Sequence, residues 1–146
     1  MSMRYDAPGT GARLVNDVIR RLAERGISIA GTTAVRVRGR ATGRLRSVVV
    51  NLLTVDGRDY LVSPRGDTQW ARNVRAAGEI EVGPARRSRR RRAVEVGDDA
   101  KPELLQRYLD RWYWEVKGHM GGLTPASTRD EMRAVAPSIP VFEIVG

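Results

Sequence analysis

Between Thr32 and Val62 the chain repeats with a period of two, and the connections between its repeats are short. Thr32-Thr33-Ala34-Val35-Arg36-Val37-Arg38 sets small or apolar residues against basic ones in alternation, the pattern of a half-buried strand. Gly39-Arg40-Ala41-Thr42-Gly43 reads as a turn, and a longer, more apolar strand follows over 46–55. Asp56-Gly57 is a strong hairpin signal because both residues accept the backbone angles of a tight turn, and it leads into a third strand over 59–62. Parallel neighbours need a crossover of a dozen or more residues. These connections are too short for that, so the segment is an antiparallel meander and a parallel α/β architecture is disfavoured.

The flanking sequence supplies the remaining elements. In residues 11–25, Leu14, Val15, Val18, Ile19 and Leu22 recur at three- and four-residue spacing, and Gly26 follows as a stop. This predicts an amphipathic N-terminal helix, whose arginine face is one that can rest on a membrane surface. After Ser63-Pro64-Arg65-Gly66 breaks the sheet, Asp67 or Thr68 can cap a short helix through Trp70, Asn73 and Ala76 to Gly78. Strands are expected over 79–82 and 93–96, with an arginine tract between them or overlapping their ends. A second amphipathic helix opens at Pro102 and carries Tyr108, Leu109, Trp112, Tyr113 and Val116. Residues 118–136 read as loop with a helical turn near 129–134, and a closing strand covers 140–145. The expectation is an α+β fold: a small split antiparallel β-barrel of about six strands, with the N-terminal helix and two further helices, forming one domain over 1–146.

Composition narrows the chemistry. The 146 residues are 41% hydrophobic and 29% charged, an ordinary globular balance. The first residues lack the apolar core of a signal peptide, and no window approaches the length of a membrane span; a soluble, cytoplasmic protein is expected. There is no cysteine, which removes thiolate metal ligands and a cysteine nucleophile. His119 is the only histidine, so a catalytic triad or a histidine metal cluster is disfavoured, and no metal site is predicted. A chain with so little nucleophile and acid–base chemistry either performs no catalysis or takes its chemistry from a cofactor. The net charge of +9, from 26 basic and 17 acidic residues, is either a solvated arginine surface or a means of gathering an anionic partner.

Two loops stand out. Gly39-Arg40-Ala41-Thr42-Gly43-Arg44-Leu45-Arg46 joins backbone N–H groups, a hydroxyl and several guanidiniums, a combination suited to a phosphate and equally that of a solvated hairpin tip. Ser63-Pro64-Arg65-Gly66 passes from a strand end toward a helix N-terminus whose face carries Trp70, Asn73 and Val74.

The order Gly-Arg-x-Thr-Gly-x-x-Arg, then strand–turn–strand ending in Ser-x-x-Gly, then Trp-x-x-Asn-x-Arg, resembles the deazaflavin-dependent nitroreductase and quinone reductase family over roughly residues 10–100. These are split-barrel proteins related to the FMN-binding pyridoxamine-phosphate oxidase fold. The resemblance implies an oxidoreductase that uses coenzyme F420 and passes hydride to a quinone-like or nitroaromatic acceptor. It assigns Arg40, Thr42, Gly43, Arg44 and Arg46 to the cofactor's phosphate and acidic tail. Ser63, Pro64, Arg65 and Gly66 would run along its ring system, and Trp70 and Asn73 would support the pocket. Ser63 and Tyr113 are candidate proton donors beside solvent, while Tyr108, Trp112 and Tyr113 are candidates for the acceptor side, or core.

Three other readings remain. FMN is the alternative cofactor on the same fold. A nucleic-acid-binding barrel would use Arg86-Arg87-Ser88-Arg89-Arg90-Arg91-Arg92, although aromatic residues are only 5% of the chain and none interleaves with that block, so stacking platforms are missing. A binder of lipid or another hydrophobic ligand is the third. The expected partners are a small hydrophobic acceptor and, through a basic face, a membrane surface; nucleic acid is disfavoured, and the assembly is a monomer or a homodimer.

Overall fold

The computed structural model describes residues 32–83 and 89–146. Six strands, β1 (Thr32–Arg38), β2 (Leu45–Val55), β3 (Arg58–Val62), β4 (Glu79–Val82), β5 (Arg89–Glu95) and β6 (Val141–Val145), close a barrel in the order β1-β2-β3-β6-β5-β4. Every pairing is antiparallel. Three helices belong to the described residues: α1 (Gln69–Ala77), α2 (Lys101–Val116) and α3 (Arg129–Val135). The helix expected over 11–25, and Arg86-Arg87-Ser88 of the arginine tract, lie outside the described residues.

The strand period decides what is core. Val35 and Val37 of β1, Val50 of β2, Leu61, Ile80, Ala93, Phe142 and Ile144 fill the barrel, and Ala71 and Val74 of α1 pack into the same cluster. The opposite parity of β2 and β3 places Leu53, Val55, Tyr60 and Val62 in a second cluster, covered by Leu104, Leu105, Tyr108, Leu109, Trp112 and Val116 of α2. Leu61 is fully buried at the centre of the first cluster, where truncation to Ala costs about 2–5 kcal/mol. Most of the aromatic stripe on α2 is thus core: Tyr108 and Trp112 are buried, while Tyr113 packs partly buried at the cluster's edge.

Local signals set the boundaries. Thr68 is the N-cap of α1, its hydroxyl accepting from the Ala71 N–H at 3.3 Å, and Gly78 ends the helix in the left-handed region at φ 69°. A capping box of Thr128 and Glu131 starts α3, and the Thr128 N–H bond holds the Glu131 carboxyl below the usual carboxylate range. The segment expected as loop with one helical turn is therefore a full short helix that buries Met132. The fifth strand begins at Arg89, earlier than the expected 93. Its register sets Arg90 opposite Glu81 and Arg92 opposite Glu79, and such opposite-charge cross-strand pairs favour a strand where a run of like charge alone does not.

Candidate cofactor site

The β1–β2 turn is built before any side chain reaches outward. Gly39 N–H donates to Arg44 O at 2.8 Å, and Gly43 N–H donates to Gly39 O at 2.8 Å. Gly43 takes φ +73°, which explains glycine at that point. Thr42 Oγ1 accepts from the Arg44 N–H at 3.3 Å. A Cβ at Gly39 would come within 3.0 Å of that Thr42 oxygen and 3.6 Å of Arg46 Nε, so turn, hydroxyl and guanidinium share one small volume. Arg44 and Arg46 stand exposed.

Arg40 joins this turn to α1. Its backbone N–H and its Nη1 both donate to Asn73 Oδ1, at 3.1 and 2.8 Å, and Nη2 donates to Gln69 Oε1 at 2.9 Å. Gln69 and Asn73 are four residues apart and so adjoin on one face of the helix. Among the described residues, the side-chain partners of Arg40 are neutral amide oxygens, and Arg38 Nη1 donates to the Gly43 carbonyl at 2.9 Å. Both guanidiniums are oriented without being neutralised. Asn73, nearly buried at 5% exposure, therefore acts on the turn and is not itself presented to a ligand by this geometry.

The second loop turns its polar groups inward. Ser63 is fully buried; its Oγ donates to Gly66 O at 2.6 Å and lies 2.9 Å from Thr68 Oγ1. With the one hydroxyl proton given to Gly66, Thr68 is the donor in that second bond. Gly66 N–H returns to Ser63 O at 3.1 Å, and Gly66 sits at φ 99°. Pro64 and Arg65 are half-buried. Trp70 follows on α1, its ring 6.3 Å from that of Phe142 at 54°, which places it over the barrel end. Asp67, beside the cap, binds Arg72 and Arg75, and Arg75 makes a two-pronged bond to Glu95 at 2.8 Å for each prong. The bond to Glu95 holds the Arg75 guanidinium protonated beyond its ordinary range, against the opposing effect of desolvation.

A cleft of about 420 Å³ opens beside the first turn. Pairing between β1 and β4 extends only over Val35↔Val82 and Arg36↔Glu81. Beyond those pairs the strands diverge, with Val37 and Ile80 at the cleft and Ala76 and Ala77 of α1 at its side. Arg36, Arg38, Arg40 and Arg90 line it together with Glu79 and Glu81. Arg36 and Arg38 escaped the motif reading, whereas Arg90 belongs to the arginine tract singled out in the sequence. The signal for the first two was the basic alternation along β1; the register of Arg90 opposite Glu81 is set by the sheet.

Tyr113 lies apart from this cleft, on α2, with its ring 5.3 Å from that of Trp114. Tyr108 is buried; burial pushes its phenol well above the usual range, and Asn51 Nδ2 donates to its oxygen at 3.2 Å. The sequence places these residues beside the first motifs only by order; the fold sets them against a different face of the barrel.

Residues 12–117 match the family model described as F420H(2)-dependent quinone reductase. The chain belongs to that family. It is thereby an F420H(2)-dependent reductase, and coenzyme F420 is the family's cofactor. No curated protein matches the chain. Among solved structures, a protein of unknown function from Agrobacterium tumefaciens is similar at 21% identity and TM-score 0.54, over 94% of this chain and 54% of that one. The chain thus spans about half the length of that relative. An F420-H2 dependent reductase is similar at 19% identity and TM-score 0.53, over 78% of this chain and 93% of that one. A putative pyridoxamine 5'-phosphate oxidase from Listeria innocua is similar at 14% identity and TM-score 0.50, over 90% and 92% of the two chains. At these identities the likeness is one of fold, and it agrees with the split-barrel expectation. Among the described residues no helix is long and apolar enough to cross a membrane.

Proposed function

We propose that the chain binds reduced F420 along the β1–β2 turn and the arginine cleft and passes hydride to a quinone-like or nitroaromatic acceptor. The observation that carries this reading is Arg40: its guanidinium is fixed by two amide oxygens on α1, keeps its charge, and lines a cleft that also collects Arg36, Arg38 and Arg90. Such a site suits a phosphate followed by an acidic tail. The residues fit the cofactor at the turn as well, where Thr42, Gly43 and Arg46 meet.

Bound F420H2 supplies the hydride, so no side chain need act as nucleophile. The chain's own residues orient and bind. Arg40, Arg44 and Arg46 hold the phosphate end, and Arg38 and Arg90 hold the acidic tail. The 63–66 loop, stiffened by the Ser63 hydroxyl, provides a fixed backbone edge. Ser63 has its proton committed to Gly66 O and its oxygen to Thr68, so solvent is the better proton source for the acceptor. A nucleic-acid role draws less support: aromatic residues are 5% of the chain and none interleaves with the arginine tract, so stacking platforms are missing.

Fluorescence titration tests the proposal against the FMN alternative. Saturable binding of F420 at micromolar concentration or tighter, with FMN weaker, is the expected result. Saturable FMN binding with no response to F420 would move the chain to the FMN branch of the fold.

A further inference from the structure

We infer that the exposed face of α2 is a membrane-contact surface, with Trp114 as its anchor and anionic phospholipid as its partner. Trp114 is 83% exposed, the most exposed of the large hydrophobic residues among those described. It lies opposite the face by which α2 covers the barrel: Leu105, Tyr108, Leu109, Trp112 and Val116 turn inward, and Trp114, two positions from Trp112, is rotated by some 200° about the helix axis. Among the described residues its ring contacts are with Tyr113 and Lys117, on its own helix and cap, and not with the barrel.

The ring is held in place. Tyr113 meets it edge-on at 5.3 Å between centroids, and Lys117 Nζ stands 5.4 Å from the ring centre. Tryptophan fixed in this way carries little freedom to lose when it enters an interface.

The surroundings identify the partner. Arg107, Arg111 and Lys117 lie seven and three residues before Trp114 and three after it, and all are exposed. On a helix Arg111 adjoins the indole, with its guanidinium 4.8 Å from the Trp112 ring centre, and Arg107 lies a further turn away on the same side. Two carboxylates share this stretch of helix, Asp110 accepting from Gln106 at 2.8 Å and Glu115 accepting from Asn51 at 3.1 Å, and they keep their charge beside the three cations. An exposed indole among cations, on a chain of net charge +9, complements a bilayer interface that carries negative headgroups. A cationic partner is repelled there, and a purely apolar protein groove would leave three charges unsolvated. The arrangement stands independently of the cofactor assignment, because it uses none of the cleft residues.

The test is co-sedimentation of the full chain with vesicles of equal parts phosphatidylcholine and phosphatidylglycerol, and with phosphatidylcholine alone, at low salt. Wild type should partition onto the anionic vesicles in preference to the neutral ones, with tryptophan emission shifting to the blue. Trp114→Ala should lose about tenfold in partitioning, Trp114→Phe should retain most of the binding without the spectral shift, and Arg111→Glu with Lys117→Glu should abolish the preference for anionic lipid. Unchanged thermal unfolding is expected for the Trp114 variants, and a small loss for the charge reversal, because Arg111 stands over the ring of the buried Trp112 at 4.8 Å. The inference is overturned if Trp114→Ala sediments like wild type, which would place the contact elsewhere on the basic surface. It is overturned equally if wild type ignores both vesicles, or if Trp114→Ala only dissociates a self-associated species, which would make a second copy the occupant.

Discussion

In the β1–β2 turn, backbone atoms satisfy one another while, among the described residues, Arg38 and Arg40 are bound by neutral oxygens and Arg44 and Arg46 stand exposed. In the 63–68 loop the reverse holds: the side chains of Ser63 and Thr68 are taken up within the loop and its helix cap, and no hydroxyl is left over. The two segments share glycine, a hydroxyl residue and arginine, and both meet α1. The difference lies in where the hydroxyl points. Thr42 stands exposed in a turn that its glycines already close, whereas Ser63 is buried and donates to Gly66 O, which also accepts from the Thr68 N–H at 2.8 Å. The first loop thereby turns its charge outward, and the second is held rigid by its own side chains.

Substitutions in the two loops should separate affinity from stability. Arg46→Ala is expected to weaken F420 binding by about 1.5–3 kcal/mol, the range for a hydrogen bond to a charged group, with thermal stability nearly unchanged. Equal affinity by fluorescence titration would make the turn a plain hairpin. Ser63→Ala should do the opposite, lowering unfolding free energy by about 1–3 kcal/mol through the unsatisfied buried groups it leaves, as read by urea denaturation. A large fall in turnover without that loss of stability would restore Ser63 as a proton donor.

Gln69→Ala tests the bridge between the loops. It frees one prong of Arg40 and leaves Asn73 in place, so a loss of about 0.5–1.5 kcal/mol in affinity is expected; no change would mean that Asn73 alone sets the guanidinium. The smallest effect belongs to Arg90→Gln at the far rim of the cleft, about 0.2–1 kcal/mol as for an exposed ion pair. It should appear for the polyglutamyl coenzyme, vanish for a version without glutamates, and shrink with salt. An equal effect on both versions would remove the tail from this cleft.

The sequence made the barrel legible because strand period and turn chemistry are local properties. The alternation through Val35 and Val37 and the Asp56-Gly57 turn fall where the structure has β1 and the β2–β3 hairpin. The arginine tract was less legible. Read locally it lies between strands or overlaps their ends, and the structure makes four of its arginines, Arg89 to Arg92, strand residues, where carboxylates on β4 face two of them across the ladder. The site was legible as a set of motifs and not as a division of labour. Asn73 was read as supporting a pocket; its Oδ1 serves Arg40 over a separation of 33 residues, a pairing that no spacing rule signals. The helix at Arg129–Val135 was there to be seen in Thr128 and Glu131, a capping box three residues apart.

The barrel closes through its shortest ladder, the two residue pairs between β1 and β4, and this has a bearing on how the molecule moves. A seam held by so few rungs opens at lower free energy than the seven-pair ladder between β1 and β2. Amide protons flanking Arg36 and Glu81 should therefore exchange sooner than those at the centre of β2. A ligand whose charge spans from Arg38 to Arg90 touches both sides of that seam, so its arrival would slow exchange there first. The weak rung of the barrel then doubles as its clasp.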